Sequence, residues 1–131
     1  MLGLVGVIEV TADNFREKVL GGDEPVVVEF FSHNCVHCSA FNPIYDDLCE
    51  AMGDRAKFVR LDVLLNMDNG KLAAGRGVRG VPTVEVFYRG RIVGSIVGNH
   101  PLDKMVESLN GFLAGKDEHF GVNTPLHKLL T

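Results

Sequence analysis

Six residues with no solvent-facing alternation, Val26-Val27-Val28-Glu29-Phe30-Phe31, run within four positions into Cys35-Val36-His37-Cys38. A run of β-branched and aromatic residues interrupted only by Glu29 marks a strand covered on both faces, as at the centre of a sheet with helices on each side. From Cys35 the period changes. Cys38, Phe41, Ile44, Tyr45, Leu48, Cys49 and Met52 recur at three and four, an amphipathic helix that should stop at Gly53. Pro43 removes one backbone donor inside it and is expected to kink it. The chain must therefore fold around a strand-to-helix junction with two cysteines at the helix start.

A thiol in that place faces unpaired N–H groups and the positive end of the helix dipole, which favours thiolate. Thiolate attacks disulfides, so the spacing points to redox exchange rather than a structural crosslink. Cys35, nearest the helix end, is the expected nucleophile; Cys38, one turn inside, is the expected resolving thiol. Zinc is the competing reading, since His33, Cys35, His37 and Cys38 form a Cys₂His₂ set by composition. Against it, tetrahedral sites usually draw ligand pairs from two segments, and adjacent His37 and Cys38 point about 100° apart on a helix. Attached haem would require His after Cys38, where Ser39 stands. No cofactor or metal is expected.

Bulk properties agree with one globular domain. The chain has 131 residues, 46% hydrophobic and 23% charged, long enough to bury about two-thirds of its unfolded surface. A net charge of −4 with scattered Lys and Arg argues against nucleic acid and anionic membranes as partners. Three cysteines cannot close a disulfide framework, and no apolar run approaches the ~20 residues of a membrane span. The apolar start lacks a basic flank and a cleavage pattern, so the expectation is a first strand and a cytoplasmic protein; separately, a monomer is expected.

Val5 to Val10 suits that strand, followed by Thr11 as an N-cap for a helix carrying Phe15, Val19 and Leu20. Ala56 to Leu65 reads as a third strand, and Asn66 to Arg76 as a short helix or irregular connector. Thr83 to Tyr88 and Arg91 to Val97, joined at Arg89-Gly90, predict an antiparallel hairpin. Leu102, Met105, Val106, Leu109, Phe112 and Leu113 stripe a last helix. The order is βαβαβαββα, an α/β domain with a mixed central sheet and helices on both faces. Residues 1–114 form the domain; 115–131 read as an appendage, disordered or with a short helix near Thr124-Pro125.

Val26 to Cys38 with Pro43, Gly80-Val81-Pro82-Thr83, and the glycines at 90 and 98 together resemble the thioredoxin family over roughly residues 5 to 113. The sequence differs from that family's usual pattern in Asn34 for Trp, Val36-His37 for Gly-Pro, and Glu29 for Asp. The resemblance implies a thioredoxin fold, a cis Val81-Pro82 bond, and pairing of the Val81 backbone with an extended substrate segment. It also implies that Arg60 is the basic neighbour of the buried acid, and that a histidine at 37 belongs with disulfide-forming members.

Glu29 is the one charge in its run, so burial should push its pKa toward neutrality and suit it to take the Cys38 proton. The plainer reading is that it reaches the sheet edge or pairs with Arg60. His37 is expected to stabilise the Cys35 thiolate, raising the potential by ~20–40 mV from thioredoxin's −270 mV to near −240 mV; the plainer reading is a solvated helix residue. Together these predict a thiol–disulfide oxidoreductase that works through a mixed disulfide, in electron transport and cell redox homeostasis. Its partners would be disulfide-bearing client proteins and a dithiol reductase or reductant of unknown identity. The alternative is a non-catalytic peptide- or metal-binding module on the same fold.

Overall fold

The computed structural model describes residues 6–119. Five strands form one sheet in the order β1-β3-β2-β4-β5: β1 Ile8–Glu9, β2 Val26–Phe31, β3 Lys57–Asp62, β4 Thr83–Tyr88 and β5 Arg91–Val97. β3 runs parallel to β1 and β2, whereas β4 is antiparallel to β2 and β5. Helices α1 Val36–Met52, α2 Met67–Gly75 and α3 Leu102–Ala114 cover the sheet. A mixed five-stranded sheet with helices is the α/β fold expected. The segment near Thr124-Pro125, read as a short helix, lies outside the described residues.

β2 is the spine, with all six residues buried. Its parity divides the core. Val27 faces Tyr45, Leu48, Met105 and Leu109 of α1 and α3, while Val26, Val28 and Phe30 face Phe15, Val19 and Ala73 on the other side. Glu29 shares the parity of Val27 and so points toward α1. Its cross-strand neighbour on β3 is Arg60, which shares the parity of Phe58 on the same face. The Tyr45 hydroxyl reaches from α1 to the Val59 carbonyl at 2.7 Å and that of Val27 at 3.0 Å, tying the helix across two strands.

Three local expectations change. β1 has only two residues, Ile8–Glu9, although the Val10 amide continues the ladder to the Arg60 carbonyl at 2.9 Å. Thr11 is not an N-cap: its amide donates to Asn14 Oδ1, and the segment that follows is one π-helical turn, Arg16–Leu20, without a side-chain cap. β3 stops at Asp62, three residues before Leu65. The Asp62 carboxylate accepts from the Leu64 amide at 3.0 Å and turns the chain out of the sheet. Asn66 then caps α2 through the Asn69 amide at 2.8 Å, which settles the 66–76 segment as a helix.

The hairpin forms as read. Arg89 and Gly90 both have positive φ, 53° and 80°, the twist that two-residue hairpin turns need. β5 bulges between Val86 and Phe87 of its partner, and Gly94 lies beneath the Phe112 ring, where a Cβ would come within 2.2 Å of ring carbons. α3 can approach the sheet there only over glycine. At the other end of β5, the Gly98 amide donates to the Pro82 carbonyl at 2.8 Å, which holds the loop before β4 in place.

Candidate active site

α1 begins where its sequence pattern begins. Cys35 is the N-cap, extended at φ −120° and ψ 117°, and its Sγ accepts from the Cys38 amide at 3.0 Å. A sulfur thus occupies the place usually taken by a capping oxygen, against an otherwise unpaired donor of the first turn. On its other side Cys35 Sγ lies 3.6 Å from the Val81 carbonyl, to which the thiol donates. The Val81-Pro82 peptide is cis, and Thr83 Oγ1 braces the loop by donating to the Gly80 carbonyl at 2.7 Å. One sulfur therefore joins the helix end to the loop before β4.

Cys38 is a different thiol. It is completely buried, and its pKa is pushed up to about 12, first by burial, then by the hydrogen bond with Cys35 and the nearby charges of Cys35 and Glu29. Limited alkylation of the reduced protein at pH 7 should label Cys35 and spare Cys38 and the buried Cys49. Peptide mass mapping checks this, and equal labelling of Cys35 and Cys38 would contradict the asymmetry.

Beneath the cysteines, Glu29 is fully buried and accepts from Arg60 Nε at 3.0 Å. Burial outweighs that attraction and raises the carboxyl from 4.5 to about 7. Glu29 is thus paired with Arg60, and burial still holds its carboxyl well above the ordinary range. Arg60 also reaches Asp46 through Nη2 at 3.2 Å, and its guanidinium lies over Phe31 and Tyr45 at 5.6 and 5.5 Å.

Two of the expected residues are not brought to the sulfurs in this way. His37 is exposed and makes no hydrogen bond or ion pair among the described residues. His33 turns instead to the edge of the site, with Nε2 3.6 Å from Asp62 Oδ2 and its ring edge-on to Phe31 at 5.0 Å. Ligand atoms of His33, Asp62 and Glu9 lie within 4.8 Å of one another, a set that excludes both cysteines. The structure therefore does not assemble the Cys₂His₂ zinc set.

Sequence reasoning missed Asn42. The amide nitrogen that satisfies its surroundings donates to Glu29 Oε2 at 2.7 Å and to the Cys38 carbonyl at 3.0 Å. The available signal was a polar residue on the buried stripe of α1, four positions after Cys38. Beside Cys35 there is also an apolar cavity of about 400 Å³, lined by Asn34, Leu64, Val78, Arg79 and Val81 among others. Leu64 borders it while remaining 67% exposed.

A thiol on a helix cap beside a cis-proline loop, a second thiol buried one turn inside and a buried carboxyl beneath them form the arrangement of a dithiol–disulfide exchange protein. The thioredoxin family model matches residues 6–111. The chain is 28% identical to the thioredoxin of Pyropia yezoensis over 110 residues, covering 84% of this chain and all of the relative. It is 29% identical to thioredoxin 1 of Nostoc sp. over 105 residues, 80% of this chain and 95% of the relative. Against the chloroplastic F-type thioredoxin of Spinacia oleracea the identity is 37% over 111 residues, 83% of this chain and 56% of the relative. The chain belongs to the thioredoxin family, and it is a thiol–disulfide oxidoreductase.

Proposed function

We propose that Cys35 attacks a disulfide of a client protein and that Cys38 resolves the mixed disulfide while Glu29 takes its proton. The observation that carries this is the asymmetry of the two thiols. Cys35 Sγ caps the helix and borders a cavity, whereas Cys38 lies buried one turn away in the electrostatic reach of a carboxyl that titrates near 7. A buried thiol raised to about 12 does not ionise unaided at neutral pH, so a nearby acceptor is required in the step that uses it. Arg60 tunes that acceptor through its ion pair. The Val81 backbone beside Pro82 borders both Cys35 Sγ and the cavity, and an extended client segment adds there as a strand.

His37 is exposed on the first turn of α1 and reaches the Cys35 sulfur only through solvent. The electron donor in this reading is a dithiol reductase, and the working compartment is the cytoplasm, with a role in electron transport and redox homeostasis as a monomer. No helix among the described residues is long and apolar enough to cross a membrane.

The test is reduction of a disulfide-bonded protein by dithiothreitol in the presence of substoichiometric chain. Multiple turnovers per molecule are expected. A rate equal to dithiothreitol alone would refute the proposal.

A further inference from the structure

We propose that Asn42 is a positioning residue of the exchange reaction: its amide nitrogen, shared between Glu29 Oε2 and the Cys38 carbonyl, fastens the buried carboxylate to the helical turn that carries the resolving thiol. The inference rests on the oxidoreductase reading above and adds to it a residue outside the strand, the two cysteines and the loop before β4. Both acceptors lie within hydrogen-bond distance of one nitrogen, at 2.7 and 3.0 Å, so neither can move far without losing the bond. Arg60 holds the other oxygen, Oε1, from β3 at 3.0 Å. Glu29 is thus gripped from both layers, by β3 through Arg60 and by α1 through Asn42.

The two grips do different things. Arg60 divides its charge between Glu29 and Asp46, and keeps it whether or not Glu29 is ionised. Asn42 is neutral, and its donated hydrogen bond is made to the ionised carboxylate. Removing it therefore disfavours the anion, the form that accepts a proton. The other groups facing Glu29 are Asp46, Cys38 and Tyr45 from α1, while its partner on β4, Val84, carries no charge. Asp46 already pushes the carboxyl upward, and with burial it holds Glu29 near 7, where a lost donor has its largest effect on the ionised fraction at physiological pH.

In the resolving step Cys38 gives its proton to Glu29, and its sulfur attacks Cys35 Sγ in the mixed disulfide. The Cys35–Cys38 bond forms as the bond to the client sulfur breaks, and the client cysteine leaves as thiolate with the electron pair. The enzyme dithiol is oxidised by two electrons and the client disulfide reduced by two. Asn42 touches neither sulfur; it acts through the orientation and charge of Glu29, the group that takes the proton.

The experiment loads 5-thio-2-nitrobenzoate onto Cys35 and follows release of the coloured thiolate against pH, in wild type, Asn42→Ala, Asn42→Gln, Glu29→Gln and the double variant Glu29→Gln/Asn42→Ala. Loss of one donor to a carboxylate should raise the midpoint for release by about one pH unit, which at pH 7 slows it about fivefold. Alanine is the best helix former, and the site is only half-buried, so the fold should survive. Asn42→Gln keeps an amide donor on the same helix face and should return the midpoint toward wild type. In the Glu29→Gln background, Asn42→Ala should change nothing further. Carboxyl titration of Glu29 by NMR gives the same midpoint without any exchange reaction. An unmoved midpoint in Asn42→Ala, a Gln variant that stays at the Ala value, or an added loss in the double variant overturns the proposal. Absence of release from wild-type protein would instead overturn the oxidoreductase reading, leaving the NMR titration to judge Asn42.

Discussion

Cys35→Ser is expected to lower catalysed disulfide reduction by more than about a thousandfold while leaving the fold unchanged. A serine hydroxyl does not ionise near neutral pH and cannot form the disulfide intermediate, so the covalent route is closed rather than slowed. Serine is also a good N-cap, so the bond from the Cys38 amide survives in kind and α1 keeps its start. Loss of activity with an unchanged unfolding transition separates chemistry from structure. A variant retaining a tenth of the wild-type rate would show that the nucleophile lies elsewhere.

The second large effect is on stability. Glu29 and Glu85 are both buried acids raised from 4.5 to about 7, chiefly by burial. Glu85 sits on β4 on the α2 side of the sheet, opposed in its shift by Arg76, and its Oε1 has no hydrogen-bond partner. An acid whose folded pKa exceeds its unfolded value binds more protons in the native state between the two. The native state is therefore penalised progressively as pH rises from 4.5 through 7. The penalty is absent below the lower value and complete above the higher, on the order of 3 kcal/mol for each group. Unfolding by urea should accordingly show greater stability at pH 5.5 than at pH 8.5. Glu85→Gln removes the charge without touching the cysteines. It should stabilise the protein at pH 8.5 by about 2 kcal/mol and have little effect at pH 5. The same pH dependence in the variant as in wild type would exclude Glu85 as a source.

Much of this architecture was legible because it is written locally. The β2 run, the helical stripe from Cys38 to Met52 and the hairpin around Arg89-Gly90 each lie within one short window, and each forms where its period says. The end of β3 was not legible in the same way. Apolar Val63, Leu64 and Leu65 continue a strand by pattern, yet the Asp62 carboxylate captures the Leu64 amide and ends it. The Thr11 reading failed for a similar reason: Asn14 binds the Thr11 amide, and Asn69, fifty-seven positions away, takes the Ala12 amide. Short polar side chains choose among several backbone partners, and only the folded chain decides.

The candidate site divides along the same line. Cys35 and Cys38 could be singled out by their spacing at a helix start, and Glu29 as the one charge in an apolar run. The partnership of Glu29 with Arg60 across adjacent strands depends on register, and that with Asn42 depends on the rotation of α1 over the sheet. His37 illustrates the converse. Adjacency in sequence suggested a contact with the thiolate, but its side chain leaves the first turn of α1 toward solvent.

The central claim, that Cys35 carries the partner and Cys38 releases it, is tested most directly by trapping. Cys38→Ser protein mixed with a disulfide-bonded protein and separated without reductant should run as a covalent adduct. Mass mapping should place the linkage at Cys35, and dithiothreitol should dissolve it. Wild type under the same conditions should accumulate only the Cys35–Cys38 disulfide and released client. An adduct of Cys38→Ser linked through Cys49, or none at all, would contradict the account.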